Sequence, residues 1–335
     1  MQAGLHKKIK TVELGDIDYV QPGPGYLTID VKSTGICGSD LHVYHGDWEI
    51  SGSQAGGHEL AGIVREIGEG VVSVQPGDKV AVEAIFGCGR CVYCRRGLYN
   101  VCAERSVFWG DGHGGFAEYA TAHESAVHKI PDELSFEQGS LVEPLAVGYR
   151  ALKESGATMQ DKVAIVGGGS IGQLSLAVAK AVGVRETLIV VKYPKQAEIA
   201  KSYGADHIVD ISNSDVQEYC NDITAGQGFD IVVETTSSQS AFNDALAVVC
   251  RRGTVVLVGV YNGPISADLS NIVGNELKVK GSMCYSYSEN LNDFDTTIEL
   301  IESGKVDPSQ IITHRFPLAA IAEAFETADD KSRGS

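Results

Sequence analysis

The apolar positions keep two different rhythms along this chain. From Lys162 to about Gly281, short apolar runs alternate with stretches of helical period, and Lys162–Val166, Thr187–Val191, Asp230–Glu234 and Thr254–Gly259 read as strands. That alternation predicts a parallel sheet with crossover helices, an α/β unit. Residues 1 to roughly 145 behave differently. There, Gly and Pro turns such as Gln21–Gly25 and Gln75–Asp78 separate short alternating strands, Leu27–Val31 among them, which predicts a β-rich unit. Past the α/β block, Asp293–Ser303 and Leu318–Ala328 read as helices, and this tail is expected to rejoin the first unit.

The first strand of the α/β block runs into Gly167-Gly168-Gly169-Ser170-Ile171-Gly172, a G-x-G-x-x-G turn. Ile171, Leu174, Val178 and Ala181 then fall on one helical face. In this strand–turn–helix setting, Gly167 and Gly169 let backbone N–H groups approach a pyrophosphate at the helix N-terminus. The turn therefore predicts a doubly wound, Rossmann-type sheet that binds a nicotinamide dinucleotide. An acidic residue about 20 positions on would favour NAD by bonding the adenosine ribose. The chain has Val191-Lys192-Tyr193 there instead. With no carboxylate, a cation in Lys192 and a ring in Tyr193, NADP(H) is the expected preference, NAD(H) remaining usable.

Composition narrows the class. The 335 residues suit two domains, and 43% of them are apolar. No run of about 18 uncharged apolar residues occurs, and no secretory signal follows the N-terminal lysines, so a cytoplasmic protein without membrane attachment is expected. A net charge of −17 repels phosphate backbones and argues against nucleic acid as a partner.

Four of the eight cysteines, Cys88, Cys91, Cys94 and Cys102, form C-x2-C-x2-C-x7-C in a loop jointed by Gly87, Gly89 and Gly97. Four thiolates on one short loop can close a tetrahedral Zn²⁺ and leave no vacancy for substrate, which makes the role structural. An iron–sulfur cluster can use the same four ligands, and a nucleic-acid zinc ribbon is the other alternative. A second constellation is spread wider: Cys37 in Gly35–His42, His58-Glu59 in Gly57–Gly62, and Glu143 before Pro144-Leu145. A thiolate, an imidazole and a carboxylate can hold Zn²⁺ with one position open, the arrangement of a catalytic site. Such a metal stabilises an alkoxide, from which hydride leaves readily, and Ser39 and His42 can carry the hydroxyl proton away. Cys220, Cys250 and Cys284 read as packing residues, and His6, His123, His128 and His207 as ordinary surface or strand-end histidines. Phe108, Trp109 and His113 are candidates for the pocket lining.

The segments Gly35–His42, Gly57–Gly68, the four-cysteine loop and Glu143-Pro144-Leu145 resemble the zinc-containing medium-chain alcohol and polyol dehydrogenases, over nearly the whole chain. The resemblance implies a GroES-like catalytic domain from residues 1–146 and 285–335 around a coenzyme domain from 147–284. It implies that Cys37, His58 and a carboxylate, Glu143 with Glu59 adjacent or exchanging, ligate the catalytic zinc. By the same resemblance Asp40 orients His58, Ser39 bonds the substrate hydroxyl and His42 relays its proton. Glu143-Pro144-Leu145 and Thr313–Leu318 are similar to the sorbitol and butanediol branch, whereas Ser282-Met283-Cys284-Tyr285 lacks the arginine that sorbitol dehydrogenase carries there. A small diol or secondary alcohol is the substrate expected. Threonine- or glucose-type dehydrogenation and a non-catalytic cofactor-binding homologue are the alternatives. The resemblance further implies a homodimer or homotetramer paired near Val256–Val260 and Leu277–Gly281, and one more strand beyond Ser335.

Overall fold

The computed structural model describes residues 1–48, 55–107, 113–288 and 291–335. Six parallel strands stand in the order His207–Asp210, Glu186–Val191, Lys162–Val166, Phe229–Glu234, Val249–Leu257, Lys278–Gly281. Counted along the chain this is 3-2-1-4-5-6, the doubly wound order, with its reversal between Lys162–Val166 and Phe229–Glu234. The apolar runs are continuous because both faces are covered. Val163, Ile165, Ile189, Val191, Ile231 and Val233 face one core, while Ala164, Val166, Leu188, Val190 and Val232 face the other, against Phe242, Leu246 and Val248.

Two expectations shift. The fifth strand begins at Val249 and ends at Leu257 rather than running from Thr254 to Gly259. A register shift between Phe229 and Ile231 lets its polar start, with Arg252 at φ +63°, pair before the apolar run begins. The helix after the glycine turn, Ser170–Val182, is not apolar on one face only. Gly172 to Ala179 are all buried, because the helix lies between the sheet and a second helix, Val142–Ser155.

The β-rich unit is a five-stranded antiparallel sheet ordered Tyr119–His123, Tyr26–Gly35, Glu59–Ile67, Lys79–Val82, Val127–Lys129. Leu27, Ile29, Leu60, Val64, Val80 and Val82 fill its core. Of the tail, Asp293–Glu302 packs on Val142–Ser155, with Phe294, Ile298 and Ile301 in the core that also holds Val163 and Ile165, while Ile321–Asp329 carries Phe325 into a cluster with Ala3, Leu5, Tyr44 and Phe116.

His128 corrects its reading as an ordinary strand-end histidine. Its ring is almost enclosed, with Nε2 2.7 Å from Glu83 Oε1 and Nδ1 2.6 Å from Asp295 Oδ1. Burial works against the charged ring, but the hydrogen bonds to Asp295 and Glu83 outweigh it and hold the pKa up to about 9. In the unfolded chain the same ring titrates near 6.5. Its contribution to stability is therefore complete below about pH 6.5 and drains away as pH rises through about 9. Denaturation midpoints measured from pH 6 to 10 should fall across that window in the parent protein and fall less in His128→Gln.

Candidate active site

Three of the expected ligands meet at one point. Cys37 Sγ, a ring nitrogen of His58 and a carboxylate oxygen of Glu59 lie within 4.8 Å of one another. Cys37 caps the helix Gly38–His45, and its backbone N–H donates to Asp40 Oδ2 at 2.8 Å, which fixes the thiol at the helix start. Asp40 Oδ1 stands 4.0 Å from His58 Nδ1, the place of a carboxylate that orients an imidazole. Glu59 is paired with Gly35 across the ladder, and a Cβ at Gly35 would collide with the Glu59 carboxylate. That glycine opens the space the ligand occupies.

Glu143 stands beside this group rather than within it. The Tyr285 hydroxyl, which accepts from the Ala84 N–H, bonds the Glu143 carboxylate and holds it at the edge of the cluster. Asp40, Glu59 and Glu143 are all buried, and burial pushes each carboxyl above its ordinary range. Burial likewise pushes the Cys37 thiol up to about 11, the charges of Asp40 and Glu143 adding to it. Several acids crowded in one enclosed place, with a soft thiol and an imidazole among them, are a donor set that fits a bound Zn²⁺, whose charge would let them ionise together. Ser39 Oγ is buried against the Cys37 sulfur, with no other hydrogen-bond partner among the described residues. His42 stacks on Trp48 with centroids 4.8 Å apart.

The four-cysteine loop closes as its spacing predicts. One sulfur from each of Cys88, Cys91, Cys94 and Cys102 lies within 4.8 Å of the others. Backbone N–H groups of Arg90 and Cys91 bond the Cys88 sulfur and hold its pKa down to about 6, the state a metal thiolate needs. Gly97 is pressed on the Tyr287 carbonyl, which anchors the loop to the tail.

At the dinucleotide turn, Gly167 has φ +120° and a Cβ there would meet Thr235 Oγ1, while a Cβ at Gly172 would collide with the Gly167 carbonyl. The position outside Gly169 is open: among the described residues, none but its own chain neighbours comes within 4 Å of its Cβ site. Gln196 Oε1 accepts from the backbone N–H of Lys192 at 2.9 Å and of Tyr193 at 3.3 Å, and Val191 Cγ1 abuts Gly168, so the end of the second strand lies directly against the turn. Lys192 is exposed, its Nζ 5.6 Å from the centre of the Tyr193 ring.

Residues 23–132 match the alcohol dehydrogenase GroES-like domain and residues 170–303 the zinc-binding dehydrogenase domain. L-threonine 3-dehydrogenase of Pyrococcus abyssi is 37% identical over 94% of this chain and 91% of its own length. The chain belongs to the zinc-containing medium-chain dehydrogenases. A second relative, 2-dehydro-3-deoxy-L-galactonate 5-dehydrogenase of Pseudoalteromonas atlantica, is 35% identical over 94% of this chain and 91% of its own length. The crystal structure of 2R,3R-butanediol dehydrogenase from Bacillus subtilis superposes with a TM-score of 0.87 at 32% identity, covering 98% of this chain and 96% of that one. As a medium-chain dehydrogenase the protein is an oxidoreductase acting on CH–OH donors, and its cofactors are zinc and a nicotinamide dinucleotide. No helix among the described residues is long and apolar enough to cross a membrane.

Against this family frame, four residues stand out that sequence reasoning missed or misread. Cys284, read as packing, has φ +46° and a half-buried thiol whose pKa burial and the charges of Glu143 and Cys37 push up, so it borders the candidate metal cluster. Tyr285 holds Glu143, and Glu83 gathers Tyr99 and His128. Asn262 reaches His42 from the coenzyme-binding side. Only the positive φ of Cys284 departs from ordinary chain chemistry, and no pattern in the sequence announces it. His113 is buried, its Nδ1 without a hydrogen-bond partner among the described residues, and Phe108 and Trp109 lie outside those residues.

Proposed function

We propose that this protein interconverts a secondary alcohol, diol or polyol and its ketone with NADP(H), using Cys37, His58 and Glu59 as the resting catalytic zinc ligands and Glu143 as the carboxylate able to exchange with Glu59. The observation that carries this reading is the Cys37–His58–Glu59 triple, with His58 and Glu59 buried and Asp40 behind His58. Zinc held there supplies a Lewis acid for the substrate oxygen, and the nicotinamide supplies the hydride acceptor. Ser39 bonds the substrate hydroxyl and hands its proton towards His42, which stands a few residues along the same helix at the edge of solvent. Cys88, Cys91, Cys94 and Cys102 hold a structural zinc.

The relatives' names speak for a secondary hydroxyl beside another polar carbon: threonine, a deoxy sugar acid and butanediol all present one. Threonine-type dehydrogenation is the second reading, favoured by the identity to the Pyrococcus enzyme. Initial rates at the reduced-nicotinamide band over diols, polyols, secondary alcohols and threonine, with and without a zinc chelator, test both. Chelator-insensitive turnover would overturn the zinc assignment, and no turnover of any of these alcohols by a zinc-loaded, cofactor-binding sample would overturn the substrate class.

Gly167, Gly169, Ser170, Ile171 and Gly172 receive the pyrophosphate, and Val191, Lys192 and Tyr193 receive the adenosine end. The NADP(H) preference rests on the exposed Lys192 and the missing carboxylate beside the turn. Val191→Asp should move the ratio of kcat/KM for NADP over NAD towards NAD by roughly tenfold to a hundredfold, the effect of one charge-bearing contact; an unchanged ratio would place the adenosine end elsewhere.

The domain boundary falls in the helix Val142–Ser155, whose start carries Glu143 and whose flank packs on the dinucleotide helix. All four residues of the edge strand Lys278–Gly281 are exposed, Val279 included, which supports pairing of two copies along that edge. Gel filtration should give a dimer or tetramer, and a monomer at micromolar concentration would remove this part of the reading. A reducing cytoplasm suits a chain none of whose eight cysteines is joined in a disulfide.

A further inference from the structure

The proton carrier named above has a feature that its family role does not require. Two side chains converge on one ring nitrogen of His42: Asp47 Oδ2 at 2.9 Å and Asn262 Nδ2 at 3.0 Å, both from Nδ1. Asp47 follows on from the helix that bears His42. Asn262 comes from the coenzyme-binding side, in the loop after the strand Val249–Leu257. That loop is fixed at the sheet's reversal point, because the Tyr261 hydroxyl donates to Glu234 Oε2 at 2.6 Å. Glu234 is fully buried, and its other oxygen accepts from the Thr236 and Ser237 N–H groups.

The two partners make opposite demands. A carboxylate oxygen only accepts, so the Asp47 contact needs a hydrogen on Nδ1. The amide nitrogen of Asn262 only donates, so its contact needs the Nδ1 lone pair. One nitrogen cannot satisfy both at once. We propose that Asp47 and Asn262 select between the two neutral tautomers of His42, and that Asn262 is thereby a positioning residue for the proton relay, supplied by the opposite domain. This rests on the reading of His42 as the proton carrier.

With Asp47 engaged, the ring carries hydrogen on Nδ1 and leaves Nε2 free to accept. A proton arriving from the substrate side forms the Nε2–H bond and gives an imidazolium still held by Asp47. Loss of the Nδ1 proton to solvent water beside the half-exposed Asp47 leaves the Nε2–H tautomer, and its new Nδ1 lone pair takes the Asn262 amide. The proton enters at one nitrogen and leaves at the other, and the discharged ring is the form that binds the coenzyme-side loop. In ketone reduction the same steps run backwards. Among the described residues, Asp47 is the charged group in hydrogen-bond or ion-pair contact with the ring, the Trp48 indole covers one face and the uncharged Asn262 amide approaches from the coenzyme side.

The test uses zinc-loaded protein with nitrogen-labelled histidine. Asn262→Ala removes a donor to the neutral ring, so it should move the neutral ring towards the Nδ1–H tautomer in the imidazole nitrogen spectrum. Asp47→Asn removes the carboxylate that accepts from Nδ1–H, so it should move the neutral ring towards Nε2–H. Shifts in the same direction, or an unmoved tautomer ratio, would overturn the proposal. His42→Ala separates the two readings: an acid limb of kcat/KM for alcohol oxidation that survives it removes His42 from the relay, while the nitrogen spectra still decide whether Asp47 and Asn262 compete.

Discussion

Cys37→Ala should yield a folded protein that still binds the dinucleotide but turns over alcohol at least roughly a thousand-fold more slowly. The thiol is one of three donors gathered within 4.8 Å, and it also caps the helix that carries Ser39, Asp40 and His42. Lewis-acid stabilisation of a developing alkoxide is worth several kcal/mol, and each ~1.4 kcal/mol of lost transition-state stabilisation is about tenfold in rate. The cap contribution is small beside this, since the Cys37 N–H that donates to Asp40 belongs to the backbone and survives the substitution. Metal analysis should find the zinc of the four-cysteine loop retained and the other lost, while dinucleotide fluorescence titration stays near the parent value. A variant that keeps both metals and most of its rate would remove Cys37 from the catalytic centre.

The second large effect concerns stability. Asp293 is fully buried and accepts from Arg150 Nη1 at 3.0 Å, Lys153 Nζ at 2.9 Å and the Ser286 N–H at 2.8 Å. Removing one member of a buried ion pair leaves the other charge without compensation and costs about 3 to 5 kcal/mol. Glu154 stays beside Arg150 at 2.8 Å, which places Asp293→Ala near the lower end of that range. The change should appear in the denaturant midpoint with little change of slope. Asp293→Asn, which keeps the acceptor for Ser286 but not the charge, should fall between. A loss below about 1 kcal/mol would mean that this triad behaves as an exposed pair does.

What could be read from the chain was what is local. Lys162–Val166 and Asp230–Glu234 announce themselves because a strand covered on both faces is apolar through its middle, here Val163–Val166 and Ile231–Val233. The four-cysteine loop carries its complete ligand set on fifteen residues, so spacing alone specifies it. Glu59 against Glu143 was not decidable in that way. The choice depends on Tyr285 reaching Glu143 and on Gly35 yielding space to Glu59, contacts that join distant parts of the chain. His128 failed for the same reason: its partners Glu83 and Asp295 belong to different segments, and a lone histidine in a strand looks like any other. The helix Ser170–Val182 reads as one-sided because pattern analysis sees only the sheet it follows, not the second helix laid across its outer face.

The difference between the two metal centres reaches back to how the protein is made. The four-thiol loop is complete once Cys102 has emerged from the ribosome, and closing so short a loop costs little chain entropy. The Cys37–His58–Glu59 pocket is walled by Tyr285, whose hydroxyl ties Ala84 to Glu143, so its wall is missing until the last sixth of the chain has been synthesised. In the proposed reading, the ligands of the first site are therefore all present in the nascent chain before the Tyr285 wall of the second exists.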